Sequence, residues 1–237
     1  FLGDFNGDGK TDSMGYASST QRWHVVLSNG TGFTFGGGFW IGHDGGPSNN
    51  FLGDFNGDGK TDTMGYTFNS GVWHVALSDG DGFDGPGSGN WHGHTGGPSR
   101  NFLGDFNGDG RTDIMGYTGV LGRWHVNLSG GTEFDAPGGG MWNGHRGRAE
   151  DNFVGDFNGD GRSDTMGYTG SQGLWHVSLS SGAEFDAPGS GNWHGHTGGQ
   201  NNNFLGDFNG DGMTDIGRYK SGAVWTICLS TGTDFSC

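Results

Sequence analysis

Five times along the chain, oxygen-bearing side chains recur at alternate positions of a nine-residue stretch with the pattern Asp-x-Asn-x-Asp-Gly-x-x-Asp. The first holds Asp4, Asn6, Asp8 and Asp12. The others hold Asp54, Asn56, Asp58 and Asp62; Asp105, Asn107, Asp109 and Asp113; Asp156, Asn158, Asp160 and Asp164; and Asp207, Asn209, Asp211 and Asp215. A hard cation such as calcium takes six to eight oxygen ligands, and a tight loop supplies them from positions 1, 3, 5 and 9 plus a main-chain carbonyl at position 7. That carbonyl belongs to Lys10, Lys60, Arg111, Arg162 and Met213 in turn. The glycine after the third ligand permits the bend. Because carboxylates dominate and thiolates are absent, the expected ion is calcium, about five per chain.

The charge count supports this independently. The chain has 26 acidic and 11 basic residues, a net charge of −15, and the loops hold fifteen of the acids. Outside them, eleven acids balance eleven bases. Three carboxylates crowded into nine residues repel one another until a divalent ion turns that repulsion into attraction.

A second recurring chemistry pairs an aromatic ring with an imidazole in glycine-rich surroundings. Trp40 and His43, Trp91 and His94, Trp142 and His145, and Trp193 and His196 close the first four units in segments such as GSGNWHGHTGG. An aromatic face stacks on the C–H face of a pyranose, and a few fixed polar groups read its hydroxyls. Flanking glycines would let the backbone approach such a ligand closely. Core packing is the competing role for these four tryptophans. The strand histidines His24, His74, His125 and His176 either bond across units or line the same pocket. The histidines show no local chelate spacing for a transition metal. No catalytic group breaks the repeat symmetry, which favours binding over catalysis.

These residues need a scaffold that repeats. The segments FLGDFNGDGKTD, FLGDFNGDGKTD, FLGDFNGDGRTD, FVGDFNGDGRSD and FLGDFNGDGMTD begin at Phe1, Phe51, Phe102, Phe153 and Phe204, dividing the chain into units 1–50, 51–101, 102–152, 153–203 and 204–237. In WHVVLS, Trp23, Val25 and Leu27 alternate with His24, Val26 and Ser28, the period of a strand. Runs of four to six residues between Gly, Asn, Asp and Ser clusters predict three or four short antiparallel strands per unit. The expected fold is all-β, a five-bladed propeller forming one domain over residues 1–237. Trp23, Trp73, Trp124, Trp175 and Trp225 are expected in its core. The fifth unit is short, has Thr226 in place of the strand histidine, and lacks the closing Trp and His.

Composition narrows the class further. Glycine contributes 56 of 237 residues, but 9 Trp, 5 Tyr and 18 Phe offer an aromatic core. No apolar run approaches the length of a membrane span. The acidic balance disfavours a nucleic-acid partner, because phosphate binding depends on Lys and Arg. Cys228 and Cys237 could staple the last strands in an oxidising compartment, or remain two thiols. With the glycosylation patterns Asn29-Gly-Thr and Asn127-Leu-Ser, the reading is a secreted protein.

The loop followed by an apolar strand resembles the FG-GAP (VCBS-type) repeat of integrin alpha-subunit propellers. Combined with Trp-x-Val-x-Leu-Ser-x-Gly-x-x-Phe, it is similar to repeats of secreted fungal and microbial propeller lectins. The resemblance implies structural calcium in the matched loops and glycans or glycoconjugates as partners, bound at up to four equivalent blade junctions, with oligomers possible. A polysaccharide lyase and a protein-binding, integrin-like propeller are the alternatives.

Overall fold

The computed structural model describes residues 1–17, 19–20, 22–42, 50–67, 71–94, 101–117, 123–145, 152–168, 173–187, 189–196, 203–220 and 224–237. Five four-stranded antiparallel sheets, each a simple meander, form the blades of an all-β five-bladed propeller. Blade 1 contains β1 (Leu2–Gly3), β2 (Asp12–Ala17), β3 (Arg22–Ser28) and β4 (Phe33–Trp40). Blade 2 contains β5 (Asn50–Gly53), β6 (Asp62–Thr67), β7 (Val72–Ala76) and β8 (Gly89–His92). Blade 3 follows with β9 (Asn101–Gly104), β10 (Asp113–Tyr117), β11 (Arg123–Asn127) and β12 (Gly140–Asn143). Blade 4 has β13 (Asn152–Gly155), β14 (Asp164–Tyr168), β15 (Leu174–Ser178) and β16 (Gly191–His194); blade 5 has β17 (Asn203–Gly206), β18 (Asp215–Lys220), β19 (Val224–Ser230) and β20 (Phe235–Ser236). Among the described residues no helix is long and apolar enough to cross a membrane.

The contacts gather into two compact units. One comprises Phe1–Ser99, Asp109–Ile114 and Asn127–Pro137, and the other Arg100–Gly108, Met115–Val126 and Gly138–Cys237. In the first, Phe5, Met14, Trp23, Val25 and Trp40 of blade 1 enclose a core with Ala76 and Phe83 of blade 2. In the second, Phe157, Met166, Trp175, Val177 and Trp193 of blade 4 do the same with Ile216, Cys228 and Phe235 of blade 5. Alternation within each strand produces this: Trp73 and Val75 are buried while His74 between them is half-exposed.

Adjacent blades are joined through the acidic loops. The Thr61 amide donates to the Asp4 carbonyl at 2.6 Å, and the Asp4 amide donates to the Thr61 hydroxyl at 3.0 Å. Thr112 binds Asp54, Ser163 binds Asp105, and Thr214 binds Asp156 through the same 2.6 Å amide bond. A hydroxyl-bearing residue at the eleventh position of each of the last four units thus fixes the preceding loop.

Blade 5 departs from the pattern. Trp225 is 60% exposed, whereas Trp23, Trp73, Trp124 and Trp175 are fully buried. The expectation of core packing therefore holds for four of the five, and Trp225 is the exception. Cys228 and Cys237 form a disulfide that ties β19 to the residue after β20.

Candidate functional site

Each acidic loop is a dense set of side-chain-to-backbone hydrogen bonds. Asp4 accepts from the amides of Gly7 (2.8 Å) and Asp8 (3.1 Å) on Oδ1, and from Gly9 (2.7 Å) on Oδ2. Asn6 Oδ1 accepts from Asp8, and Asp8 Oδ1 from Lys10. Gly7 and Gly9 have φ of 74° and 79°, a region L-residues avoid, which lets successive amides turn toward the Asp4 carboxylate. The first four loops carry an internal cation: Lys10 pairs with Asp8 at 2.9 Å, Lys60 with Asp58 at 2.9 Å, Arg111 with Asp109 at 3.0 Å, and Arg162 with Asp160. Lys10 holds the Asp8 carboxyl below its usual range, through its side-chain hydrogen bond above all. In the fifth loop Met213 supplies no charge, and Asp211 Oδ2 accepts from Asn209 Nδ2 at 2.7 Å.

The ninth-position acid is held more deeply than the others. Asp12 is completely buried, accepting from Phe5 N at 3.0 Å on one oxygen and from Ser28 N at 2.7 Å on the other. Asp62 and Asp164 repeat this arrangement, and burial pushes both carboxyls up to about 7 against the pull of the two amides. These aspartates tie the loop to β3 and to the residues just after β7 and β15. Among the described residues, no three acidic, histidine or cysteine side chains converge as a metal cluster. The side chains at positions 1, 3 and 5 nonetheless all present oxygens in one turn, which suits a hard cation.

The closing tryptophans lie in the core. Trp40, Trp91, Trp142 and Trp193 are 3, 1, 2 and 2% exposed. Their rings meet Phe83, Phe134, Phe185 and Phe235 of the next unit edge-on, with centroids at 4.9, 5.0, 5.0 and 5.1 Å. The indoles of Trp91, Trp142 and Trp193 donate to Gly87, Gly138 and Gly189 carbonyls at 3.0 Å. This burial fits the core role weighed against ligand stacking, and Trp40 also lines the groove at the first junction. The glycines beside them serve packing as well: a Cβ on Gly93 would lie 2.7 Å from Ile114 Cδ1 and 2.9 Å from Trp73 Nε1.

The paired histidines are equally enclosed. His94, His145 and His196 are buried against Trp73, Trp124 and Trp175, with ring centroids 5.4, 5.1 and 5.3 Å apart. His145 Nε2 bonds Asn152 Oδ1 at 2.6 Å, and burial drives this imidazole down to about 4. His176 stands 6.2 Å from His145, so one strand histidine does neighbour a closing histidine. Burial likewise lowers His125 and His176. His24, His74, His125 and His176 are half-exposed, and His24 stacks on Phe39 at 4.9 Å. His43 lies outside the described residues.

What reaches solvent at the junctions is the edge of each outer strand. The amides of His92, Asn143 and His194 donate to carboxylates of the next unit, Glu133, Glu184 (2.7 Å) and Asp234, and His194 Nδ1 adds a 3.0 Å contact to Asp234. The first junction differs. Gly82 stands where Glu133, Glu184 and Asp234 stand, so Ile41 has no carboxylate partner of that kind. A groove of about 350 Å³ opens there, lined by Phe39, Ile41, Asp79, Asp81, Phe83 and Asp84. Phe39 also borders a depression of about 310 Å³ with Thr20 and Arg22. Sequence reasoning passed over this groove because it followed the residues that repeat, whereas the groove arises from a missing side chain.

Residues 4–64 match the family model described as FG-GAP-like repeat. The loop motif of the first unit recurs in the four units that follow. No curated protein matches the chain by sequence. Among solved structures, the chain is similar to a lectin of Agrocybe aegerita that recognises non-reducing terminal N-acetylglucosamine, with 21% identity, a TM-score of 0.62, and 100% of this chain aligned on 64% of that one. It is also similar to the Photorhabdus luminescens Tc holotoxin pore, with 16% identity and a TM-score of 0.64 over 99% of this chain and 11% of that one. The chain therefore spans under two thirds of both structures, and at these identities the likeness is one of fold.

Proposed function

We propose that this is a secreted, calcium-stabilised carbohydrate-binding protein that holds glycans without turning them over. The observation that carries the reading is the groove at the first junction. Phe39, 55% exposed, offers a ring face to the C–H face of a pyranose, and Asp79, Asp81 and Asp84 offer acceptors for its hydroxyls. The volume suits one or two sugar rings, at the lower end for small-molecule sites. The lectin-like fold supports the class, and that relative's ligand makes a terminal amino sugar the first glycan to try.

In the calcium reading, Asp4, Asn6, Asp8, the Lys10 carbonyl and Asp12 would hold the first ion, with the matching residues of the other loops holding theirs. A bound ion would neutralise the crowded carboxylates and stiffen the turn that carries the interblade bonds. The disulfide supports an oxidising, extracellular setting.

The test is a glycan array probed with calcium-loaded protein alongside Phe39→Ala. The expected result is capture on glycans sharing one terminal sugar, competed by that free sugar and lost in the variant. A blank array on folded protein overturns the reading, and so does binding that Phe39→Ala leaves unchanged.

A further inference from the structure

The glycosylation pattern Asn-x-Ser/Thr occurs at Asn29 and at Asn127, and the fold treats the two copies differently. Asn29, Gly30 and Thr31 lie in the turn between β3 and β4, and all three are exposed. Asn29 Oδ1 accepts from the Thr31 amide, the Thr31 hydroxyl and the Gly32 amide, each at 2.9 Å. Its Nδ2 donates to no atom among the described residues. This exposure belongs to the turn's place in the unit and not to where the chain begins. Asp79, Gly130, Ser181 and Thr231 hold the matching position in units that follow another blade, and each is exposed. So are Asp81, Thr132, Ala183 and Thr233, which match Thr31. Asp79 repeats the turn itself, its Oδ1 accepting from Asp81 N at 2.9 Å and from Gly82 N at 2.8 Å.

The second copy is used up by the fold. Asn127 is half-buried, and its Oδ1 accepts from His94 N at 3.0 Å. Ser129, whose hydroxyl the pattern requires, is completely buried and gives that hydroxyl to the Phe55 carbonyl.

We infer that Asn29 is an attachment site for an N-linked glycan and that Asn127 is not. This rests on the secreted part of the reading above and is independent of the groove at Phe39. The co-reactant is a lipid-linked oligosaccharyl diphosphate. The Nδ2–C1 bond forms as the donor's C1–O bond breaks; the bonding pair leaves with the diphosphate, and one Nδ2 proton passes to a base of the transferase. Three donors on Oδ1 stabilise the negative charge that grows there as the proton departs. Every bond of this turn lies within four residues, so it needs no other blade to form. A glycan is bulky and suits an exposed turn. On the half-buried Asn127 amide it competes with the contact to His94, and chains modified there drop out of the folded pool.

The full chain, placed behind a cleavable secretory leader, is translated with eukaryotic microsomes, which supply the compartment whether or not the natural chain is secreted. The folded, protease-resistant product is then treated with a glycan-releasing amidase in heavy-oxygen water, which leaves a labelled aspartate at the attachment residue. The expected result is one glycan per chain and the label at position 29 alone. Asn29→Gln and Thr31→Ala should abolish the mobility shift, Thr31→Ser should keep it, and Asn127→Gln should leave it unchanged. A folded wild-type product without glycan overturns the inference, as does any label at position 127. The label is read on the wild-type chain, so the result stands even where a variant fails to fold.

Discussion

The hydroxyl of Ser129 donates to the main-chain carbonyl of Phe55 at 2.6 Å, joining positions 74 residues apart, and its own amide donates to the buried Asp113 carboxylate at 2.7 Å. Ser78, Ser180 and Ser230 make the same carbonyl bond to Phe5, Phe106 and Phe157, also at 2.6 Å. One small, buried polar side chain thus links two blades. Ser129→Ala should leave the Phe55 carbonyl without that partner and lower stability by about 1–3 kcal/mol. Urea unfolding of the two proteins measures this, and an unchanged midpoint would remove the hydroxyl from the account.

Trp91 decides between packing and ligand stacking. Because the ring is buried against Phe55 and Phe134, Trp91→Ala should cost about 3–5 kcal/mol. Glycan affinity of the fraction that stays folded should be unaltered. A variant with native stability and lost glycan binding would return this ring to the ligand site.

His145 sets an acid sensitivity. Its folded value near 4 lies below the ordinary 6.5, so the unfolded chain binds the proton more readily between those values. The stability that neutral, buried His145 contributes is complete above about pH 6.5 and is lost as pH falls toward 4, amounting to about 3 kcal/mol. Thermal melts of wild type and His145→Gln from pH 7 to pH 4 should converge on acidification as the wild-type advantage disappears. Parallel curves would place the acid sensitivity elsewhere.

Calcium should act on the loops in concert. With five equivalent motifs and a net charge of −15, excess chelator should lower the melting temperature by several degrees, and calcium should restore it. The fifth loop, which has Met213 in place of a cation, should gain most, so Asp211→Asn should remove a larger share of the calcium-dependent rise than Asp8→Asn. A melting temperature that ignores both chelator and calcium would leave the loops held by their amides alone.

The blades, their number and their strand order were legible in the sequence, because a repeat of about 51 residues and a period-two alternation are written in residue order. The loop geometry was legible as well: glycines at Gly7 and Gly9 mark backbone that only they adopt readily, and alternate oxygens mark the turn between them. Burial was decided by the tertiary structure. Trp91 and Trp225 are both aromatic residues of a repeated unit, yet one is enclosed by the Phe134 of a following blade and the other faces solvent, since enclosure depends on the neighbour and not on the residue. The groove at Phe39 is likewise invisible to a motif search, for it exists where Gly82 omits the carboxylate that Glu133 and Glu184 provide. Residue order specifies local backbone and alternation; which side chains remain available to a ligand is settled only when each blade meets the next.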